Sequence, residues 1–192
     1  MTNPDLILAG LGTPSLAHFA PAGTTLPADA TSTLAAAFKD AGICAASGAD
    51  IAYATESTGI DGYGLAGDAR TVVTKETLTV KTIFRETNLV TQAVYRKMPI
   101  TGAGSPSVTS ATGALSVTDG PTRSIKYVGV LHTIDGLNIV RKVFPNLRPT
   151  GRDNEAISKA QNMAYGVTFT AEPDADGITQ YTHYILNALK TP

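Results

Sequence analysis

The sequence predicts a mainly β (α+β) fold: an antiparallel β-sandwich or half-barrel with one flanking helix and long Gly/Ser/Thr-rich loops. Three observations carry this. The stretch Asp68–Glu86 is dense in Thr, Val and Ile and has neither Gly nor Pro from Thr71 onward, a composition that suits a pleated surface. Asp135-Gly136 lies between two alternating apolar runs, the strongest short-range hairpin signal. Tyr165–Ala171 alternates Tyr165, Val167 and Phe169 with Gly166, Thr168 and Thr170, as a strand with one buried face does. At roughly 3.3 Å per residue the first stretch reaches about 50 Å, well beyond the usual strand of about 5–6 residues. It must bend between two sheets or run past its own domain.

The elements follow in order. Residues 6–20 read as a short strand, a Gly/Pro turn and a second strand. Asp29-Ala-Thr-Ser precedes Thr33–Asp40 with Gly42 just after, predicting a small capped helix with Leu34, Ala37 and Phe38 inward. Gly42–Ser47 reads as a strand, with Ala49–Thr55 its partner or continuation. Ser57–Gly67, with four glycines in eleven residues, reads as a long flexible loop. In the long strand, Leu78, Val80 and Phe84 share the face opposite Lys75, Thr77, Thr79, Lys81 and Arg85. A helix capped by Thr87 or Asn88 carries Leu89, Val90, Ala93, Val94 and Lys97 and stops at Met98-Pro99. Residues 101–122 are nearly all Gly, Ser, Thr, Ala and Pro, an arm with Ala114–Val117 as a short strand. The hairpin 123–134 and 137–144 has Ile125, Tyr127 and Leu131 on one face, Val128, Val130 and Ile134 on the other. Pro145–Ile157 is expected to be a polar connection, Glu172–Gly177 a turn, and Ile178–Leu186 the last strand.

Composition narrows the function classes. Charged residues make up 16% of the 192, below the usual quarter. The polar surface therefore comes from Thr, Ser, Asn and Gly, which another subunit covers easily. There is no Trp and the net charge is −1, so bulk nucleic-acid binding by charge is not indicated. Residues 123–152 hold six cations against Asp135, a local balance of +5. Cys44 is the only cysteine, so no internal disulfide forms, and its apolar setting predicts an inert thiol. The N-terminus lacks a basic segment followed by an apolar core, and no apolar run reaches eighteen residues. No signal peptide, no membrane span and intracellular synthesis are expected.

Chemistry-bearing patterns are incomplete. Gly10-x-Gly12 lacks a third glycine, and Pro14 interrupts a following helix. His18, His132 and His183 each lie in strand-like segments, with no Gly-x-Ser-x-Gly nearby. Glu172-x-Asp174-x-Asp176-Gly177 imitates half a calcium loop, but the twelfth position is His183 rather than a bidentate Glu. No Cys/His cluster suits zinc. The expectation is no enzyme, no catalytic residues, no cofactor and no metal.

The order of features resembles the major tail tube proteins of long, non-contractile-tailed phages, especially of actinobacterial hosts. The resemblance rests on residues 21–27 (Pro-Ala-Gly-Thr-Thr-Leu-Pro), Phe38-Lys-Asp-Ala-Gly-Ile and the Gly-rich loop. It continues through the long strand ending Phe84-Arg-Glu-Thr-Asn, the hairpin ending Ile139-Val-Arg-Lys-Val-Phe-Pro, and Tyr165–Asp174. It spans residues 20–186; Tyr63-Gly64 stands where many relatives carry a tryptophan. The resemblance implies one tail-tube domain over 1–192, with an N-terminal arm (1–20), a long loop (56–70), an extended arm (101–122) and a C-terminal tail (187–192). It implies a virion structural protein whose hexameric rings stack into a tube for DNA, which passes without specific binding. Implied partners are copies of itself, a tape measure protein and tail terminator and distal tail proteins. The implied location is the virion tail, assembled in the host cytoplasm, with no membrane contact. Expected subunit contacts are Asp50, Glu56, Asp61, Tyr63, Asp68, Arg70, Arg123, Lys126, Arg141 and Lys142, with the cations meeting the acids of neighbouring copies. The alternatives are another β-rich virion or injection-apparatus protein, such as a decoration or tube subunit, and then a small binding module.

Overall fold

The structure, a computed structural model, describes residues 8, 12–64, 66–109, 111–120, 123–155 and 162–189. The strand expected at the start of 6–20 and the end of the expected C-terminal tail fall outside them. Ten strands and one α-helix are found among the described residues: β1 (Gly12–Pro21), β2 (Lys39–Asp40), β3 (Cys44–Asp61), β4 (Asp68–Phe84), α1 (Leu89–Tyr95), β5 (Ser107–Thr109), β6 (Ala114–Ser116), β7 (Tyr127–Asp135), β8 (Asn138–Arg152), β9 (Tyr165–Glu172) and β10 (Tyr181–Ile185). One antiparallel sheet runs β2-β1-β7-β8-β9-β4-β3, with β10 also beside β8; β5 and β6 form a separate hairpin. Leu16 of β1, Ala45 and Ile51 of β3 and Leu131 of β7 line one groove. The sheet thus curls back on itself without closing, giving the half-barrel with a flanking helix that the sequence predicts.

The main core lies inside this curl. Phe19 stacks on Phe169 at 5.4 Å between ring centroids and meets Phe84 and Tyr127 edge-on at 6.0 and 6.3 Å. Leu78, Val80, Val167, Phe144 and Leu147 close around them. Leu147 packs over Gly129, where a Cβ would lie 2.3 Å from its Cδ1. The helix adds Val90, Ala93 and Val94. Its start is fixed by Asn88, whose Oδ1 accepts from the Thr91 N–H at 2.8 Å, as a capping side chain does. It ends with the Met98 and Lys97 N–H groups donating to the Ala93 and Val94 carbonyls, a Schellman arrangement. Lys97, not glycine, holds the left-handed position, φ 55°. The Tyr127 hydroxyl donates to the Met98 carbonyl at 2.6 Å, tying helix to sheet. A second, smaller core of Ala20, Phe38, Val128, Val130 and Val143 lies on the opposite face of β7. Both faces of β7 are covered, as its two apolar stripes predict.

Four expectations are corrected. Thr33–Asp40 forms no helix: Ala36–Ala37 is a turn closed by the Phe38 N–H on the Ala35 carbonyl, and Lys39–Asp40 becomes β2. A segment this short nucleates poorly, and burying Phe38 in the second core decides its shape. Gly12–Pro21 is a sheet strand between β2 and β7, in keeping with the second strand expected within 6–20. Ser57–Asp61 is strand rather than loop, held in register against Val73–Asp68. Pro145–Arg152 continues β8 and pairs with β9; the prolines fall where the strand changes partner and at the irregularity between Pro149 and Gly151. The hairpin turn sits one residue later than predicted. Asp135 and Asn138 are the closing pair, and Gly136 alone of the two central residues has positive φ, 60°.

Candidate assembly interface

One feature stands out from the body: the end of the β3–β4 hairpin. From Leu78 to Phe84, β4 has neighbours on both sides, β3 and β9. From Asp68 to Thr77 it has β3 alone among the described residues. The alternation changes at the same place. Leu78, Val80, Thr82 and Phe84 are buried, whereas 68–76 are exposed apart from half-buried Val72, and 52–61 of β3 are all exposed. Ten residues at about 3.3 Å each make a two-stranded ribbon of roughly 30 Å with no further strand along either edge among the described residues.

The ribbon leaves the body for a local reason. β9 and β10 run in the same direction along one side of β8, with Glu172 opposite Asn146 and Tyr181 opposite Val143. Between them the chain makes an excursion over 173–180, which removes the strand that β4 would otherwise pair with. Asp174 fixes that excursion. Its Oδ1 accepts from the Asp176 and Ile178 N–H groups at 3.0 and 2.9 Å, and its Oδ2 from the Tyr181 hydroxyl at 2.6 Å. These bonds hold the Asp174 carboxyl below its usual range and push the Tyr181 hydroxyl up to about 12. Tyr53, at the root of the ribbon, donates to Gln180 Oε1 at 3.3 Å.

The ribbon's side chains are unsuited to solitude. Tyr53, Ile60 and Val73 are 69%, 51% and 56% exposed, and Tyr63 at the tip is fully exposed. Asp61 stands opposite Asp68 in register, a like-charge pair that opposes closure of the tip. Gly59 makes room for Asp68, whose Oδ2 lies 1.9 Å from where a Cβ would be. Glu56 and Lys75 form an ion pair at 3.3 Å, but both side chains are mostly exposed, so it adds little.

Of the ten predicted contact residues, six lie on this hairpin: Asp50 near its base, opposite Lys81, then Glu56, Asp61, Tyr63, Asp68 and Arg70. Arg123, Lys126, Arg141 and Lys142 lie elsewhere, and among the described residues none forms an ion pair with these acids. Lys126 and Arg148 converge on Glu172 at 2.6 and 2.7 Å and hold its carboxyl below the usual range. Arg152 approaches Asp119 at 3.9 Å. Arg141 is corrected from surface cation to internal brace. It is 4% exposed, and its Nη1 donates to the Asp29 and Ser32 carbonyls at 2.9 and 2.7 Å. Arg123 is exposed and Lys142 half-buried, without ion pairs among the described residues. Lys142 lines the groove of about 520 Å³ between the base of β3 and the β1–β7–β8 face. Glu172 as an ion-pair hub and Tyr53 as the ribbon's root lie outside the contacts expected from sequence. Glu172 could have been found as the acid ending an alternating strand; Tyr53 carried no signal.

Comparisons with known proteins add little. No family model and no curated protein matches the chain. Among solved structures, a chain of the "Virion of native gene transfer agent (GTA) particle" aligns over 77% of this chain and 88% of its own, with 10% identity and a TM-score of 0.38.

Proposed function

We propose that this chain is a self-assembling structural protein of a phage virion, the subunit of a tail tube built from stacked, hexameric rings. The observation that carries the reading is the ribbon with two open edges. A lone two-stranded ribbon is marginal in water, and unpaired strand edges are templates for another chain. Copies joined side by side around a closed ring satisfy those edges, and head-to-tail stacking of rings extends them into a tube. The sequence resemblance points the same way. Most of the basic segment is spent inside its own chain, so few cations remain to hold DNA in a lumen, which suits passage without capture. On this reading the acids of the ribbon and the open cations Arg123 and Lys142 meet between copies. Tape measure, terminator and distal tail proteins meet the tube along its bore and at its ends, in the virion tail. No catalytic step, cofactor or metal belongs to it.

Electron microscopy of the purified full chain tests this, with sedimentation from low to high salt reporting the electrostatic share. Tubes or stacked rings are expected. Discrete trimers or unstacked rings would favour a decoration or other virion component, and a monomer at every concentration would sink the reading.

A further inference from the structure

All three histidines of the chain converge on Arg141. In the sheet, His132 of β7 stands directly opposite Arg141 of β8, and His183 of β10 stands opposite it on the other side. His18 of β1 pairs with Val130, two residues from His132. Directly paired residues share a face of the sheet, as do residues two apart. The four side chains therefore lie on one face, beside the second core formed by Val130, Val143 and Phe38. Over this face runs the segment 24–38, and Arg141 holds it through the Asp29 and Ser32 carbonyls and Ser32 Oγ. Three atoms here are buried without a hydrogen-bond partner among the described residues: His18 Nδ1, His132 Nε2 and Arg141 Nε.

We propose that this row is a proton-operated latch: neutral imidazoles let Arg141 pin segment 24–38 to the sheet, and their protonation releases it. The physical basis is charge. Arg141 is already cationic, and each proton gained by His132 or His18 adds a like charge beside it. Two acids neighbour the row among the described residues. Asp40 of β2 stands opposite His18. Asp29 of the segment itself has its carboxylate engaged by the Thr31 and Ser32 N–H groups. Lys39 of β2 points to the other face and donates to the Ala36 carbonyl. Burial lowers the affinity of both His18 and His132 for a proton; Arg141 and His18 add to this at His132, while at His18 Asp40 opposes it without reversing it and Arg141 adds a smaller push down. The unfolded chain then binds protons more readily than the folded one just below pH 6.5. Stability contributed by the neutral imidazoles is complete above that value and is lost as pH falls toward the folded pKa values.

The latch is tested by hydrogen exchange on the full chain at pH 7.5 and 5.5, corrected for intrinsic exchange rates. Protection of amides in 29–38 is expected to fall by about tenfold, roughly 1.4 kcal/mol, while amides of the β4–β9 ladder hold theirs. The double variant His18→Gln/His132→Gln is expected to lose that pH dependence. Equal protection at both pH values, or the same loss in the variant, overturns the proposal. Should the variant not fold, the imidazole proton resonances of the unmodified chain decide. His18 and His132 titrating below pH 6.5, in step with loosening of 29–38, sustain the latch; titration at or above 6.5, or out of step, overturns it.

Discussion

The two halves of β4 share a composition and differ in fate. Asp68–Thr77 and Leu78–Phe84 are both rich in Thr and Val, both paired with β3 and both free of Gly and Pro beyond Thr71. Only the second half also meets β9, and only there do alternate residues reach 5% exposure or less. Val80 is buried at 2% and Val73 is 56% exposed, although either suits a strand equally well. Strand identity is thus written locally, whereas burial is conferred by a neighbour. The neighbour is withdrawn by the excursion that Asp174 holds.

The comparison is broken most severely from the buried side. Phe169 of β9 backs the packed half of β4 and stacks on Phe19. Phe169→Ala is expected to cost about 3–5 kcal/mol by urea unfolding; a loss below about 1 kcal/mol would show that β9 does not hold the core. A smaller effect is expected where β9 ends. Glu172→Gln removes the shared partner of Lys126 and Arg148, a partly exposed pair worth up to about 1 kcal/mol. Because the Glu172 carboxyl is held low in the fold, its stabilisation is present above the ordinary carboxyl range and lost as pH falls through the folded value. The variant's stability is therefore expected to decline less steeply below about pH 4.5, and parallel curves for both proteins would refute the ion pair. The smallest effect on the monomer belongs to the ribbon. Val73→Lys is expected to change its unfolding free energy by no more than about 0.5 kcal/mol. A lysine on an open edge nonetheless discourages strand addition. Large species should therefore recede in sedimentation, and unchanged assembly would remove Val73 from the contact.

Much of the fold was legible because it was locally encoded. Asn88, one of the two caps the sequence offered, caps the helix, since a capping side chain acts on an N–H three residues away. Leu78, Val80 and Phe84 declared their face by spacing alone. What was illegible depended on distant partners. Ser57–Asp61 has the composition of a loop and became strand because β4 offered it a ladder. Thr33–Asp40 has the composition of a helix, but Phe38 belongs to a core assembled from β1, β7 and β8. On the acidic side of the candidate interface, that Asp50, Glu56, Asp61 and Asp68 stand close together was legible from their closeness in sequence, although the hairpin that carries them was not. The basic side was not, because the partners of Lys126 and Arg141, Glu172 and the Asp29 turn, lie 46 and 112 residues away.

β7 is covered on both faces, and this changes what guards its alignment. An ordinary strand cannot slip by one position without turning its oily side to water. Here a slip would exchange one oily side for another, so polarity imposes no fine. Discrimination falls to shape: Tyr127 and Leu131 occupy the roomy aromatic side, valines the shallow one, and Gly129 leaves the hollow that Leu147 enters. Displaced by one place, a valine would meet Leu147 where nothing larger than hydrogen fits. The central plank of the molecule is kept true by size matching, with the Tyr127 hydroxyl bond to the Met98 carbonyl as a second check.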